Sequence, residues 1–221
     1  MTMQKYKYKG ILFDMDGVLV DSMPAHVDSW IKVFRDYGVE VDSKEIYLRE
    51  GEKALTTAIL LGKKYDLNLS DAECEELISV KRKYYAENAS TELIPKAKKL
   101  LHSLKDEGFK LGLVTGSIMS NLERIMSAGE KALFDAIMTS DIVTNAKPSP
   151  EPYARACDGL GIKRSECLII ENAPLGIQSG RAAGITIAAL TSTLSADELN
   201  GADFIIDDLE QIWDILKENA G

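Results

Sequence analysis

The sequence predicts an α/β fold, in which a doubly wound parallel-sheet core is interrupted by an inserted all-helical domain. From about Lys96 onward, strand-like and helix-like segments alternate, which indicates a parallel sheet with helices on both faces. Residues 22–91 show helical periodicity only, so they are predicted to form an insertion after the first strand. With 221 residues, 45% of them hydrophobic, the chain can bury a substantial core. We therefore expect a core of residues 1–21 and 92–221 and a helical cap of residues 22–91.

The core strands are predicted where short apolar runs of strand-forming residues end at turn signals. These runs are 11–13, 110–114, 136–139, 167–170, 186–190 and 204–206. Apolar positions at helical spacing predict core helices at 96–107, 118–128, 150–160, 175–183 and 209–218. The same spacing predicts cap helices at 25–37, 44–65 and 72–88. The pattern of the helix predicted at 44–65 is compatible with a break near Gly51 or Gly62.

The composition limits the partners that the protein can have. The formal net charge of -9 argues against binding to nucleic acid or to anionic membranes, and an anionic substrate would need local positive charge. The three cysteines lack zinc-ligand spacing, and their odd number suits a reducing compartment. Asp14 and Asp16 interrupt the apolar stretch near the N-terminus, which does not fit a signal peptide. We expect a cytoplasmic monomer that acts on a small molecule, with no nucleic-acid or membrane partner.

Asp14 and Asp16 are the most informative residues of the chain. They follow the predicted strand at 11–13, and side chains two positions apart on a strand point the same way. Gly17 then allows a sharp turn. Two carboxylates crowded at the end of a buried strand repel each other, and a bound divalent cation relieves this because hard cations take oxygen ligands. The alternative, a pair that caps a helix or lies in solvent, leaves the close spacing beside a glycine unexplained.

Two further polar groups follow predicted strands. Thr115, with Gly116 and Ser117, offers a hydroxyl and open backbone amides to an anion, although an ordinary strand–turn–helix junction has the same pattern. Lys147 precedes a segment with three prolines, and a lysine on a rigid loop can present a point charge to a phosphoryl group. The alternative is a solvated loop lysine.

Glu171 and Asn172 follow the predicted strand at 167–170 and precede a helix. Their side-chain oxygens could hold a hard cation, although Asn172 could equally cap that helix. Each of these signals is weak alone. Because all of them follow strands expected in one parallel sheet, they should meet at its carboxyl edge, where ligands bind in such folds.

In chain order these residues resemble the four motifs of the haloacid dehalogenase superfamily. The motifs correspond here to Asp14-x-Asp16-Gly, Thr115, Lys147 and Glu171-Asn172. The stretches that begin at Lys147 and at Glu171 are similar to the β-phosphoglucomutase-like branch. The resemblance covers the whole chain and implies a Rossmann-like core with a helical cap that closes over the carboxyl ends of the strands.

The resemblance also implies a phosphohydrolase that works through an aspartyl phosphate. Asp14 is then the nucleophile and Asp16 the general acid and base. Lys147 neutralises the phosphoryl group, which is held by Thr115 and by the amides of Met15 and Asp16. Gly116 and Ser117 belong to the same binding loop.

The resemblance implies Mg²⁺ as the cofactor. The metal site consists of the Asp14 carboxylate, the Asp16 main-chain carbonyl and Asn172, with Glu171 beside the metal. Many relatives carry Asp where Asn172 stands. An amide oxygen can still bind Mg²⁺, but the site here has one negative charge fewer.

Two cap residues bear on the substrate. His26 resembles a histidine found at this offset in β-phosphoglucomutase-like proteins and could lie near the leaving group. Glu50 precedes Gly51 where sugar-phosphate mutases tend to have a lysine. A carboxylate there would repel a second phosphate but could reach Mg²⁺, as in a pyrophosphate-cleaving member of the branch, and the alternative is a solvated glutamate. Other cap residues that could contact a leaving group are Arg49, Lys53, Lys81 and Arg82.

The leading interpretation is a Mg²⁺-dependent phosphohydrolase acting on a small phosphorylated metabolite or pyrophosphate. The nearest alternative is a β-phosphoglucomutase, whose phosphoenzyme must survive until a sugar phosphate returns. A 2-haloacid dehalogenase would lack Asp16 and need no metal. A phospho-receiver module would have no helical insertion, and a non-catalytic binding protein would leave the combined motifs unexplained.

Overall fold

The computed structural model describes residues 6–90 and 92–218, and a six-stranded parallel sheet forms its centre. The strands are β1 (Gly10–Phe13), β2 (Lys110–Val114), β3 (Ala136–Met138), β4 (Cys167–Glu171), β5 (Thr186–Leu190) and β6 (Phe204–Ile206). Their order is β3-β2-β1-β4-β5-β6, and every neighbouring pair is parallel. The strand order therefore reverses between β1 and β4, which is where open α/β sheets form a ligand-binding crevice.

Helices cover both faces of the sheet, as predicted. They are α5 (Pro95–Asp106), α6 (Met119–Ile125), α7 (Ala128–Lys131), α8 (Glu151–Leu160), α9 (Pro174–Ala183) and α10 (Ile212–Glu218). Alternate residues of β1 enter different apolar clusters, because strand side chains alternate between faces. Ile11 and Phe13 pack with residues of α5, α6 and α10, whereas Leu12 packs with residues of α8 and α9. The predicted fold class is confirmed.

Four helices between β1 and β2 enclose an apolar cluster of their own. They are α1 (Met23–Arg35), α2 (Ser43–Tyr47), α3 (Ala54–Lys64) and α4 (Asp71–Asn88), and we call them and the loops between them the cap. Trp30, Phe34, Leu61 and Leu77 are among the buried members of this cluster. The predicted domain limits stay predictions, and residues 1–5, 91 and 219–221 lie outside the described residues.

Three predicted helices differ from the structure in their extent. The one predicted at 44–65 consists of α2 and α3, separated by a loop of residues 48–53. The loop contains Gly51 with φ +85°, whereas Gly62 lies inside α3. The helix predicted at 118–128 ends at Ile125, and the last helix opens with a 3-10 turn over Leu209–Gln211. Of the helices in the described parts of the chain, none combines the length and the apolar character needed to span a membrane.

Candidate active site

Loops at the carboxyl edge of the sheet carry the polar residues predicted from the sequence. Asp14 directly follows β1, Thr115 follows β2, and Asn172 follows β4. Because β1 pairs with both β2 and β4 in parallel, these residues emerge side by side. Lys147 reaches the same edge from the loop between β3 and α8.

Lys147 is the centre of a buried ion cluster. Its Nζ donates to Asp14 Oδ1 at 2.5 Å, to Glu171 Oε1 at 2.6 Å and to the Val114 carbonyl at 3.3 Å. Burial opposes the charge on Lys147, but the charges of Asp14 and Glu171 outweigh it and raise the pKa of Lys147 well above its ordinary value. Lys147 is therefore a cation with a fixed position.

Glu171 holds Lys147 in place. Its Oε1 also accepts a hydrogen bond from the Tyr153 hydroxyl at 2.9 Å, and its Oε2 accepts the next two backbone amides at 2.8 and 3.0 Å. The carboxylate lies so close to α9 that a Cβ on Gly176 would be 1.6 Å from Glu171 Oε1. Both oxygens of Glu171 are thus engaged within the protein.

The two oxygens of Asp16 have different surroundings. Oδ1 accepts a hydrogen bond from Ser22 Oγ at 2.5 Å and lies 3.4 Å from His26 Nε2. Oδ2 has only the longer contacts with Thr115 Oγ1 at 3.4 Å and Ser117 Oγ at 3.5 Å. Burial raises the pKa of Asp16, but the hydrogen bonds from His26 and Ser22 and the charge of Lys81 outweigh this and lower it. Asp16 is therefore held through one oxygen, and the other is free to exchange a proton.

Asp14 has the opposite electrostatic environment. Burial, joined by the charges of Glu171 and Asp16, raises the pKa of Asp14 to about 8, although Lys147 opposes the rise. Its Oδ2 is buried without a hydrogen-bond partner among the described residues. An additional cation beside Asp14 would favour the ionised form and give this oxygen a partner.

The cap reaches this site through the loop between α2 and α3. Glu50 Oε2 accepts a hydrogen bond from Asn172 Nδ2 at 3.1 Å. The next residue, Gly51, packs on the core so closely that a Cβ there would lie 2.8 Å from Lys147 Cδ. A Cβ on Gly116 would lie 3.1 Å from Gly51 Cα. The cap is therefore closed over the site in this structure.

His26 links the cap to Asp16. Lys81 Nζ lies 2.8 Å from His26 Nδ1, and because an ammonium group can only donate, Nδ1 is the acceptor and the ring proton lies on Nε2. Burial lowers the pKa of both His26 and Lys81, that of Lys81 to about 8. The rings of Trp30 and Tyr85 lie 5.5 and 4.8 Å from the Lys81 ammonium. The structure places His26 beside Asp16, and its predicted role near the leaving group stays a prediction.

Three buried oxygens at this edge have no hydrogen-bond partner among the described residues. They are Asp14 Oδ2, Glu50 Oε1 and Asn172 Oδ1. Oxygen atoms of this kind suit a hard divalent cation, so the residues fit Mg²⁺. Within the described residues, no group of three or more His, Cys, Asp or Glu side chains forms a ready metal cluster. Asn172 Oδ1 would be an amide ligand of a cation held here.

A cavity of about 620 Å³ lies between cap and core, beside Asp14 and Asp16. All four basic residues that the sequence placed near a leaving group line it: Arg49, Lys53, Lys81 and Arg82. Apolar side chains of the cap, including Trp30 and Ile78, and the binding-loop residues Gly116 and Ser117 complete the wall. The core side of the cavity is therefore polar, whereas its cap side carries both apolar and basic side chains.

Comparison with known proteins identifies the family. Residues 11–190 match the sequence profile described as haloacid dehalogenase-like hydrolase. The chain belongs to this family. It is 31% identical to validoxylamine A 7'-phosphate phosphatase of Streptomyces hygroscopicus subsp. limoneus, over 93% of this chain and 96% of that protein. It is 32% identical to hexitol phosphatase A of Escherichia coli strain K12, over 92% of this chain and 93% of that protein.

A solved structure shows the same architecture. The structure titled "Putative beta-phosphoglucomutase from Bacteroides vulgatus" matches with a TM-score of 0.83 and 32% identity, over 98% of this chain and 92% of that chain. The predicted assignment to the haloacid dehalogenase superfamily and its β-phosphoglucomutase-like branch, with the enzyme class of a haloacid dehalogenase-type phosphatase, is confirmed.

The structure brings together the polar residues that the sequence predicted at the carboxyl edge of the sheet. Glu50 and His26 reach the same place from the cap. The Met15 side chain is buried beneath the site. Sequence reasoning missed Tyr153 and Gly176, which position Glu171. A tyrosine on the apolar face of a helix was the available signal, because its hydroxyl needs a partner when buried. Gly176 ends the stretch from Glu171 that resembles the family, and its spacing from Gly180 predicts close packing of a helix on the sheet, but its contact with Glu171 was not predicted.

Proposed function

We propose that this haloacid dehalogenase-like hydrolase is a Mg²⁺-dependent phosphohydrolase that cleaves a small phosphate ester through an aspartyl phosphate on Asp14. The strongest support is the buried cluster in which Lys147 Nζ lies 2.5 Å from Asp14 Oδ1, while Asp14 Oδ2 lacks a partner among the described residues. The contact with Lys147 fixes the orientation of the carboxylate with which Asp14 would attack phosphorus.

An anionic nucleophile can approach a phosphoryl group only if positive charge compensates the repulsion. Lys147 provides one such charge, and Glu171 keeps it in position. Mg²⁺ would be held by the Asp14 carboxylate, the Asp16 main-chain carbonyl and Asn172, with Glu171 beside it. It would supply further positive charge to the phosphoryl oxygens.

Asp16 would transfer the protons. It would donate one from Oδ2 to the leaving oxygen and then accept one from the water that hydrolyses the aspartyl phosphate. Ser22 keeps the other oxygen in place at 2.5 Å. The Thr115 and Ser117 hydroxyls, with the amides of Met15 and Asp16, would hold the group in transfer.

The size of the cavity favours an ester over pyrophosphate. Pyrophosphate would leave most of the cavity of about 620 Å³ unfilled, whereas a metabolite-sized leaving group would use it. The similarity to a phosphatase of validoxylamine A 7'-phosphate and to a hexitol phosphatase supports a polyhydroxylated leaving group. Polar and basic side chains of the cap are suited to hydroxyl groups.

Two other activities remain candidates: pyrophosphate hydrolysis and a sugar-phosphate mutase reaction. Pyrophosphate is supported by Glu50, whose Oε1 lies buried without a partner among the described residues, beside Asn172, and could join a metal site. Mutase activity on a sugar phosphate is supported by the likeness to the Bacteroides vulgatus structure.

The test is a panel of substrates assayed with and without Mg²⁺. We expect wild-type enzyme to hydrolyse sugar and polyol phosphates with Mg²⁺ and to stop when EDTA is added. Asp14→Asn should abolish turnover, because it removes the nucleophile while keeping the shape of the side chain. Hydrolysis by an Asp14→Asn preparation free of deamidated protein would disprove the nucleophile assignment, and metal-independent turnover would disprove the need for Mg²⁺.

A further inference from the structure

The loop that delivers Lys147 is held at one peptide unit from two sides. The Asn145 amide donates to Glu151 Oε2 at 2.8 Å, and the Thr144 carbonyl, which belongs to the same peptide unit, accepts from Lys53 Nζ at 2.9 Å. Glu151 belongs to the core helix α8, whereas Lys53 precedes the cap helix α3. The same peptide therefore contacts both domains.

Glu151 has the contacts of an anchor. Besides the Asn145 backbone amide, its Oε2 accepts the Asn145 side-chain amide at 3.0 Å, and its Oε1 accepts the Thr144 backbone amide at 2.7 Å. The hydrogen bonds from the backbone amides of Thr144 and Asn145 lower the pKa of Glu151 to about 2. Glu151 is not among the residues that line the cavity, and its hydrogen bonds to Thr144 and Asn145 connect it to the Lys147 loop.

Lys53 contacts this loop together with the part of the cap that lies on Lys147. Gly51 lies two residues away in the same cap loop, and a Cβ on Gly51 would be 2.8 Å from Lys147 Cδ. The cap loop thus meets the Lys147 loop at two points, one at the catalytic side chain and one at the Thr144 peptide. Closing the cap and placing Lys147 are consequently linked by direct contacts.

We propose that Lys53 and Glu151 are positioning residues that hold the Thr144 peptide from opposite ends and so couple closure of the cap to the placement of Lys147. The proposal rests on the proposed function, in which Lys147 compensates phosphoryl charge. Lys53 also lines the cavity, so a loss of activity in a Lys53 variant could instead reflect a lost direct contact between Lys53 and the substrate.

The chain offers a matched control. Lys44 is also a cap lysine that pairs with the core, through Glu198, and among the described residues it is not part of the cavity lining. Lys44→Met therefore removes a cap–core ion pair without touching the Thr144 peptide, and exposed ion pairs of this kind contribute little to stability.

A double-mutant cycle separates the two explanations. With p-nitrophenyl phosphate and Mg²⁺, we expect Lys53→Met and Glu151→Gln each to lower kcat by ~10-fold, since a misplacement of ~1 Å can cost ~10²-fold. KM should change little. The double variant should be no slower than about the slower single variant, because both act through one peptide. Lys44→Met should retain wild-type kcat. The proposal would be overturned if the fold-loss of kcat in the double variant equalled the product of the two single losses. It would also be overturned if Lys44→Met lost as much kcat as Lys53→Met.

Hydrogen exchange tests the coupling without any activity. The amides of Thr144 and Asn145 should exchange faster in Lys53→Met than in wild type, whereas Lys44→Met should leave them protected. Unchanged exchange in Lys53→Met would overturn the proposal, even if Glu151→Gln does not fold. Should wild-type enzyme hydrolyse no phosphate ester, the proposed function fails, and exchange at these two amides still decides whether the loops are coupled.

Discussion

The environments of Asp14 and Asp16 move the pKa values of the two carboxyl groups in opposite directions. Burial raises the pKa of Asp14 to about 8, while His26 and Ser22 overcome burial at Asp16 and lower its pKa. A raised pKa favours the neutral form of Asp14, so a nucleophilic role needs a further cation beside it, since Lys147 alone does not offset the burial. The hydrogen bonds therefore distinguish two residues that the sequence shows only as a pair.

The role of Asp16 can be tested by an isosteric change. Asp16→Asn keeps the shape and the contact with Ser22 but cannot exchange a proton at Oδ2. We expect kcat to fall by ~10²–10⁴-fold, the usual contribution of general acid–base catalysis. The loss should be greatest for substrates with poor leaving groups, which most need protonation. Near-normal rates on such substrates in steady-state assays would assign the acid to another residue.

At the scale of secondary-structure elements, the sequence was enough to predict those features that depend on the local residue pattern. The parallel sheet follows from alternating strands and helices, and the edge that carries the candidate site follows from polar residues at strand ends. The packing of the 48–53 loop on Lys147 could not be predicted, because it depends on how the cap sits on the core. The same is true of the Tyr153–Glu171 hydrogen bond, which joins residues of α8 and β4.

The cap loop carries a prediction about substrate class. Glu50 Oε2 contacts Asn172, and burial, with the charges of Asp14 and Glu171, raises the pKa of Glu50 well above its ordinary value. If Glu50 supports the metal, Glu50→Ala should weaken activation by Mg²⁺. It should also slow pyrophosphate hydrolysis more than ester hydrolysis, because an ester gains binding energy from the cap.

Mg²⁺ titrations with both substrates measure this effect. Glu45→Ala is a suitable control, because Glu45 lies on the neighbouring helix α2 and pairs with Lys64 away from the site. Unchanged Mg²⁺ dependence and substrate ranking in Glu50→Ala would leave pyrophosphate without its main support.

At the scale of the whole molecule, the buried site concentrates negative charge in a chain of net charge -9. Asp14 and Glu171 share one lysine, Lys147, so in the metal-free closed state Asp14 tends to keep its proton. The expected cytoplasmic location, the monomeric state and the absence of nucleic-acid and membrane partners stay predictions.

The stability of the metal-free protein should fall as the pH rises. The pKa of Asp14 is raised from 3.8 to about 8, so the folded protein keeps a proton that the unfolded chain releases. The stabilisation from this group is fully present below the unfolded pKa and is lost as the pH rises through the folded pKa. We therefore expect Tm in EDTA to decrease between about pH 4 and about pH 8. Asp14→Asn should show a smaller decrease, because an amide has no proton to release.

Mg²⁺ should reverse this trend. A cation binds the ionised carboxylate in the folded state only, so its stabilisation should be larger at about pH 8 than at about pH 5. Scanning calorimetry of wild type and Asp14→Asn, each with EDTA and with Mg²⁺ at both pH values, measures how Tm depends on pH and how far Mg²⁺ raises it. If Asp14→Asn loses as much Tm with rising pH as wild type does, the proton is not on Asp14. If Mg²⁺ raises Tm equally in both proteins, the cation binds elsewhere, because the site described here uses the Asp14 carboxylate as a ligand.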